Sequence, residues 1–123
     1  MLRLPASVRI FLCLEPADMR RSFDGLSGMV RSILEQSPTC GHLFVFRNRR
    51  RDRLKVLWWD RDGFAIFYKR LEKGVFHFPD RATHADRRCE IDARDFAMLI
   101  EGFQIREVRK SPRFRAPPAC AIA

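Results

Sequence analysis

The sequence predicts an α+β fold: an antiparallel β-meander packed against a long amphipathic helix, with a second, short helix near the C-terminus and a basic tail. Two patterns and one change of composition carry this. Apolar residues between Met19 and Glu35 recur at three- and four-residue steps, the spacing of one helix face. Three runs rich in Val, Ile, Phe, Tyr and Trp then follow between His42 and Arg70, divided by short polar turns, as hairpin-connected strands are. Beyond Glu107 neither period persists, and Arg, Pro and Ala dominate.

Taken in chain order, Val8 to Leu14 is an apolar run with β-branched members, ended by Glu15-Pro16, and reads as a strand. Asp18 is placed to cap the helix that follows, whose inward face is Phe23, Leu26, Val30 and Ile33; Pro38 and Gly41 close it. The meander comprises His42 to Arg47, Arg53 to Trp59 and Phe64 to Arg70. Its first turn is the five-residue loop Asn48-Arg49-Arg50-Arg51-Asp52, and its second ends in Asp62-Gly63, a pair suited to positive φ. Gly74 marks a further turn before a short strand, Val75 to Phe78, stopped by Pro79. Asp92 caps a second helix from Ala93 to Glu101, with Ile91 and Phe96 as a hydrophobic staple and Gly102 as the stop. Phe96, Leu99, Ile100 and Phe103 form its inward face. Residues 1–103 thus make a single domain and residues 104–123 a basic tail expected to be poorly ordered. The long helix should cover the apolar face of the sheet, with the second helix at an edge.

A chain of 123 residues, 46% hydrophobic with 11 phenylalanines, suffices for one buried core. No apolar run approaches the ~20 residues of a membrane span. Met1-Leu2-Arg3-Leu4-Pro5 also lacks the apolar stretch of a signal peptide, so a cytoplasmic location away from membranes is expected. Cys13, Cys40, Cys89 and Cys120 form no C-x-x-C pair and read as reduced thiols. His42, His77 and His84 show no metal spacing, and neither a metal nor another cofactor is expected.

Charge gives the strongest compositional sign. A net charge of +9 favours polyanionic partners, and it concentrates at +6 over residues 41–81 and +4 over residues 104–123. Arginine supplies 20 of the 24 cations; it suits bidentate phosphate contacts, although a GC-rich genome produces the same bias. Arg47, Arg49, Arg50, Arg51, Arg53 and Lys55 surround the first hairpin turn and are candidates for a phosphate backbone, against the ordinary alternative of a solvated loop. Trp58 and Trp59 must point to opposite sheet faces. Trp59 shares its face with Arg53 and Lys55, where base stacking competes with plain packing under the helix or against a partner. Asp18 and Asp24 are six positions apart, about 240° around a helix, and do not converge for catalysis; Asp60 and Asp62 sit in a turn that favours Asp for local hydrogen bonds.

Three stretches carry a resemblance: Asp18 through Leu26, Gly41 through Pro79, and Leu99-Ile100-Glu101-Gly102. The most specific block is Gly41-His42-Leu43-Phe44-Val45-Phe46-Arg47, then Leu54-Lys55-Val56-Leu57-Trp58, then Lys69-Arg70-Leu71-Glu72-Lys73-Gly74 with Phe76 and Pro79. Over residues 2–103 the chain resembles the accessory protein TnpB, the second open reading frame of the insertion-sequence family sixty-six. The resemblance implies a factor needed for transposition, encoded beside a larger transposase that holds the catalytic carboxylates. Arg51 stands where the family usually has glycine, Phe103-Gln104 replaces Ile-Asp, and the end after Pro117 departs from the family pattern.

The expected function is therefore a non-catalytic accessory protein that binds DNA at the transposon ends, the element's transposase, or both. Lys69, Arg70 and Trp59 join the hairpin cations as nucleic-acid candidates, and Arg20, Arg21 and Asp24 are assigned to partner contact. The rival is a small metal-dependent nuclease or strand-transfer subunit, which metal-dependent cleavage by the isolated protein would reveal. A purely structural adaptor would show no salt-dependent retention on DNA.

Overall fold

Val45 of one predicted strand lies beside Leu12 of another, running parallel to it, and this pairing fixes the topology. The structure, a computed structural model, describes residues 7–79 and 87–103. Five strands, β1 (Ile10–Cys13), β2 (Leu43–Arg47), β3 (Arg53–Trp59), β4 (Phe64–Arg70) and β5 (Arg88–Ile91), form one sheet in the order β4-β3-β2-β1-β5. The β2-β3-β4 meander is antiparallel, as predicted, and β3 and β4 have the expected boundaries. The sheet as a whole is mixed, because β1 pairs parallel to β2 and antiparallel to β5. β5 was not expected; its four residues, Arg-Cys-Glu-Ile, contain a single β-branched side chain.

Both faces of this sheet are covered, which corrects the picture of one buried face with a helix at the edge. All four residues of β1 and the first four of β2 are buried, the continuous apolar pattern of strands sandwiched between layers. One face packs Phe11, Cys13, Phe44, Phe46 and Leu57 against the first helix through Leu26, Met29, Val30 and Leu34. The other packs Ile10, Leu12, Leu43, Val45, Leu54 and Val56 against Phe96, Leu99 and Ile100 of the second helix, with Phe76 and Phe78. Burial of the Cys13 thiol pushes it up to about 11, and Cys13 and Cys40 are free thiols.

The long helix is shorter than predicted. It comprises α1 (Phe23–Met29) continued by a π-helical turn (Val30–Leu34). Its start is delayed because Asp18 does not cap it: the Asp18 carboxylate accepts the Arg20 backbone N–H and grips the Arg20 guanidinium. The Lys55 amine meanwhile holds the carbonyls of Met19 and Arg21, acceptors a helix beginning there would use itself. The first helical bond in consequence runs from Leu26 N–H to the Ser22 carbonyl. At the far end the wider turn rotates the face, burying Leu34 fully while Ile33 is only partly covered, and Phe23 is left 44% exposed. Glu35 in the left-handed region ends the helix, before Pro38 or Gly41 is reached.

Helix α2 (Ala93–Ile100) follows its sequence signals more closely. Asp92 accepts the Asp95 N–H as a cap, Ile91 and Phe96 share one core, and Gly102 at φ 86 terminates it. Phe103 is 60% exposed and does not belong to the inward face. Val75 to Phe78 is not a strand, but Phe76 is buried and its N–H meets the Arg51 carbonyl. The predicted basic tail, residues 104–123, lies outside the described residues.

The two meander turns differ in where they need positive φ. In the second it falls on Arg61 and not on the Asp-Gly pair. In the first it falls on Arg51, φ 69. A Cβ in the left-handed region is strained, so Arg51→Gly should raise stability by about 0.5–1 kcal/mol, part of the gain being offset by the freer unfolded chain. The denaturant midpoint measures it.

A pH dependence is built in beside β1. His42 Nδ1 accepts the Arg9 backbone N–H at 3.0 Å, which requires an unprotonated nitrogen, and burial, aided by the Arg9 charge, pulls its pKa below the ordinary value. A base whose folded pKa is depressed contributes stability that is present above its unfolded pKa of about 6.5 and is lost as pH falls through the folded value. Thermal stability should therefore drop between pH 7 and pH 5, and less steeply in His42→Gln.

Candidate nucleic-acid interface

The contacts that pin the segment between β1 and α1 include Cys13 Sγ to the Glu15 carbonyl, Leu14 N–H to the Arg87 carbonyl, Ala17 N–H to the Arg47 carbonyl, and Lys55 Nζ to the carbonyls of Met19 and Arg21, both at 2.8 Å. Across from it stands the β2-β3 hairpin. Asn48 organises that turn, donating to Asp52 Oδ1 at 2.8 Å and accepting the Arg53 N–H at 3.0 Å. From behind, Leu71 and Phe76 donate their N–H groups to the carbonyls of Asp52 and Arg51, so the turn is held by its backbone while its side chains stay outside.

Between the pinned segment, the helix and the hairpin lies an open groove of about 1000 Å³. Ala17, Met19, Met29 and Ile33 give it apolar lining, and Arg21, Arg49, Arg50 and Arg53 surround it with cations. It also contains Glu15, Asp18 and Asp52, but each of these acids is engaged. Glu15 pairs with Arg87, Asp18 with Arg20, and Asp52 accepts from Asn48. The hydrogen bond from Arg20 pulls the Asp18 carboxyl down to about 2, and that from Asn48 lowers Asp52. The side chains of Arg21, Arg49, Arg50 and Arg51 make no hydrogen bond or ion pair among the described residues, and all four are exposed. The groove thus combines two ion-paired acids, Glu15 and Asp18, and a hydrogen-bonded Asp52 with uncommitted arginines.

Of the residues proposed from sequence, the structure brings Arg49, Arg50 and Arg53 together with Arg21, which sequence had assigned to a different role. Arg51 projects from the same turn, and Arg53 reaches the Tyr68 hydroxyl at 3.3 Å. Four others are drawn into the fold. Arg47 is half-buried, donating to the Phe76 carbonyl at 2.9 Å with its guanidinium 3.9 Å from the Phe78 ring centre, and burial lowers its pKa to about 10. Lys55 is 7% exposed and committed to two carbonyls. Lys69 Nζ meets the last helical carbonyl of α2, Ile100, at 2.7 Å, a cation placed at the negative end of a helix. Trp59 packs edge-on against Phe64, centroids 5.0 Å apart, at the opposite end of β3 from the hairpin; Trp58 lies on the other sheet face, as alternation requires. Arg70 is exposed but pairs with Glu72. Arg20 is committed to Asp18, and Asp24 stands exposed in the first turn of α1. Sequence reasoning missed Met19, Met29 and Asp52 as groove residues. The Asn48-to-Asp52 spacing was the one available signal for the last, since both residue types stabilise turns.

Comparison with known proteins gives a consistent assignment. The family model described as IS66 Orf2 like protein matches residues 8–110. Two relatives come from Sinorhizobium fredii (strain NBRC 101917 / NGR234). "Uncharacterized protein y4jC" is 37% identical over 108 residues, covering 85% of this chain and 87% of the relative. "Uncharacterized protein y4hO" is 40% identical over 107 residues, covering 87% and 90%. No solved structure matches. With a family match across most of the chain and two relatives aligned over nearly their whole length, the chain belongs to the IS66 Orf2-like family of insertion-sequence proteins.

Proposed function

We propose that this chain is a non-catalytic accessory factor that acts in the cytoplasm, gripping the phosphate backbone of DNA at the ends of its insertion sequence beside the separately encoded transposase. The observation that carries this reading is the set of uncommitted arginines, Arg21, Arg49 and Arg50, lining a groove whose acids are already engaged, with Arg51 exposed on the same turn. In such an arrangement the exposed arginines outnumber the one carboxylate without an ion pair, Asp52, so a polyanion is attracted, and arginine forks match phosphate oxygens. Among the described residues the groove has no aromatic lining, which favours backbone contact over base stacking. No helix among the described residues is long and apolar enough to cross a membrane. The non-catalytic part rests on the acids: two-metal phosphoryl transfer needs carboxylates converging on ions ~4 Å apart. Among the described residues no three of His, Cys, Asp or Glu gather in that way.

The test is duplex DNA binding by the purified protein across a salt series, with weak sequence preference and affinity falling as salt rises. Retention that does not change with salt overturns the reading. Nicking that appears with magnesium or manganese and vanishes in Asp24→Asn at unchanged stability favours the nuclease instead.

A further inference from the structure

The sheet ends on one side at β4, and this edge is unusual. β4 pairs with β3 over seven residue pairs and, among the described residues, with no strand on its other side. A strand of this length presents an edge of about 23 Å. Natural edges are blunted by outward-reaching lysines, proline, bulges or brevity. β4 has none of these: its first five residues are Phe64, Ala65, Ile66, Phe67 and Tyr68, and its register with β3 is unbroken. Its two cations are occupied within the chain, Lys69 by the Ile100 carbonyl and Arg70 by Glu72. The opposite edge, β5, is by contrast four residues long and carries Arg88 and Glu90, which pair with Glu35 and Arg9.

Apolar surface accompanies the open edge. On the α1 side, Tyr68 is 47% exposed, and Phe64, Ile66 and Trp59 beside it are only partly buried. The Lys55 amine that holds the Arg21 carbonyl lies 4.7 Å from the Tyr68 ring centre, which brings the start of α1, with its exposed Phe23, to the same region.

We propose that a second copy of this chain pairs antiparallel with the β4 edge, continuing the sheet across a twofold axis at Phe67. The strand is complementary to itself in this register. Phe67 meets Phe67 of the second copy, Ile66 meets Tyr68, Ala65 meets Lys69 and Phe64 meets Arg70. Each pairing is apolar, or sets a cation against an uncharged side chain, and no like charges stand opposite one another. With both of its cations committed internally, the edge offers no free charge that would select an acidic strand in place of a copy of itself. This site is distinct from the arginine groove and does not depend on it.

Sedimentation velocity of the full chain over a concentration series tests the proposal. The expected result is a dimer that holds or strengthens as salt rises, because two chains of +9 repel one another and screening relieves it; DNA binding has the opposite salt dependence. Tyr68→Glu, at an exposed position, should weaken dimerisation at least tenfold with an unchanged circular-dichroism spectrum, and Ile66→Lys should do the same. An equimolar mixture of the two variants should recover a heterodimer, since the introduced lysine of one then faces the introduced glutamate of the other. A wild-type chain that stays monomeric throughout, or a dimer unaffected by Tyr68→Glu, overturns the proposal. If Ile66→Lys does not fold, the Tyr68→Glu result alone decides.

Discussion

Replacing Arg49, Arg50 and Arg51 together by alanine should lower duplex DNA affinity by roughly 100-fold near 0.1 M salt, and the loss should shrink as salt approaches about 1 M. Each phosphate contact releases condensed counterions and contributes about −0.9 to the slope of log affinity against log salt, so losing three contacts should flatten the slope by nearly three. The variant should keep its fold. These side chains make no hydrogen bond or ion pair among the described residues, and the turn is held by Asn48 and by the backbone bonds from Leu71 and Phe76. A salt titration of both proteins, with melting curves as the folding control, checks it. Equal slopes would move the DNA contact away from the hairpin. Arg70→Ala provides an internal comparison, with a smaller change expected because Glu72 already offsets its charge.

The largest stability effect is expected at Lys55. Lys55→Met keeps the apolar stem packed but removes both hydrogen bonds that hold the carbonyls of Met19 and Arg21. Hydrogen bonds from a charged donor are worth more than neutral ones, and carbonyls left unpaired under the segment add a penalty; a loss on the order of 2 kcal/mol follows. For a domain of this size that corresponds to a fall in Tm of roughly 10 °C. The damage should be local before it is global: amide exchange should speed up first at residues 17–22, and Arg21 should lose its fixed place beside the hairpin. DNA affinity then falls as well, although Lys55 itself is buried. Lys55→Arg should recover little, because a planar fork does not reproduce an ammonium placed between two carbonyls. Unaltered exchange at residues 17–22 in Lys55→Met would show that the segment is held by its other contacts.

Lys55 also shows how far sequence alone reaches. Alternation along β3 places Lys55 on the face opposite Leu54 and Val56, and the structure agrees. The same pattern cannot say that this lysine is buried, because the carbonyls it binds come from a segment 34 and 36 residues away. Arg47 and Lys69 are similar cases, satisfied by Phe76 and Ile100 at separations of 29 and 31 residues. A basic residue on a strand reads as a surface cation unless its distant acceptor is known.

Local signals determined the meander, the Asn48–Asp52 turn, the Asp92 cap and the Gly102 stop, because turn chemistry, caps and strand alternation act over a few neighbouring residues. The family, too, was legible in the ordered motifs from Gly41 to Pro79. Only the tertiary structure decided the parallel β1-β2 pairing, the addition of β5, the shortening of the first helix and the meeting of Arg21 with Arg49 and Arg50 across one groove. Each of these depends on hydrogen bonds or packing between segments far apart in the chain. Helix periodicity from Met19 onward was a real local preference, but the Lys55 amine and the Asp18–Arg20 pair occupy the groups that the first turn would have used.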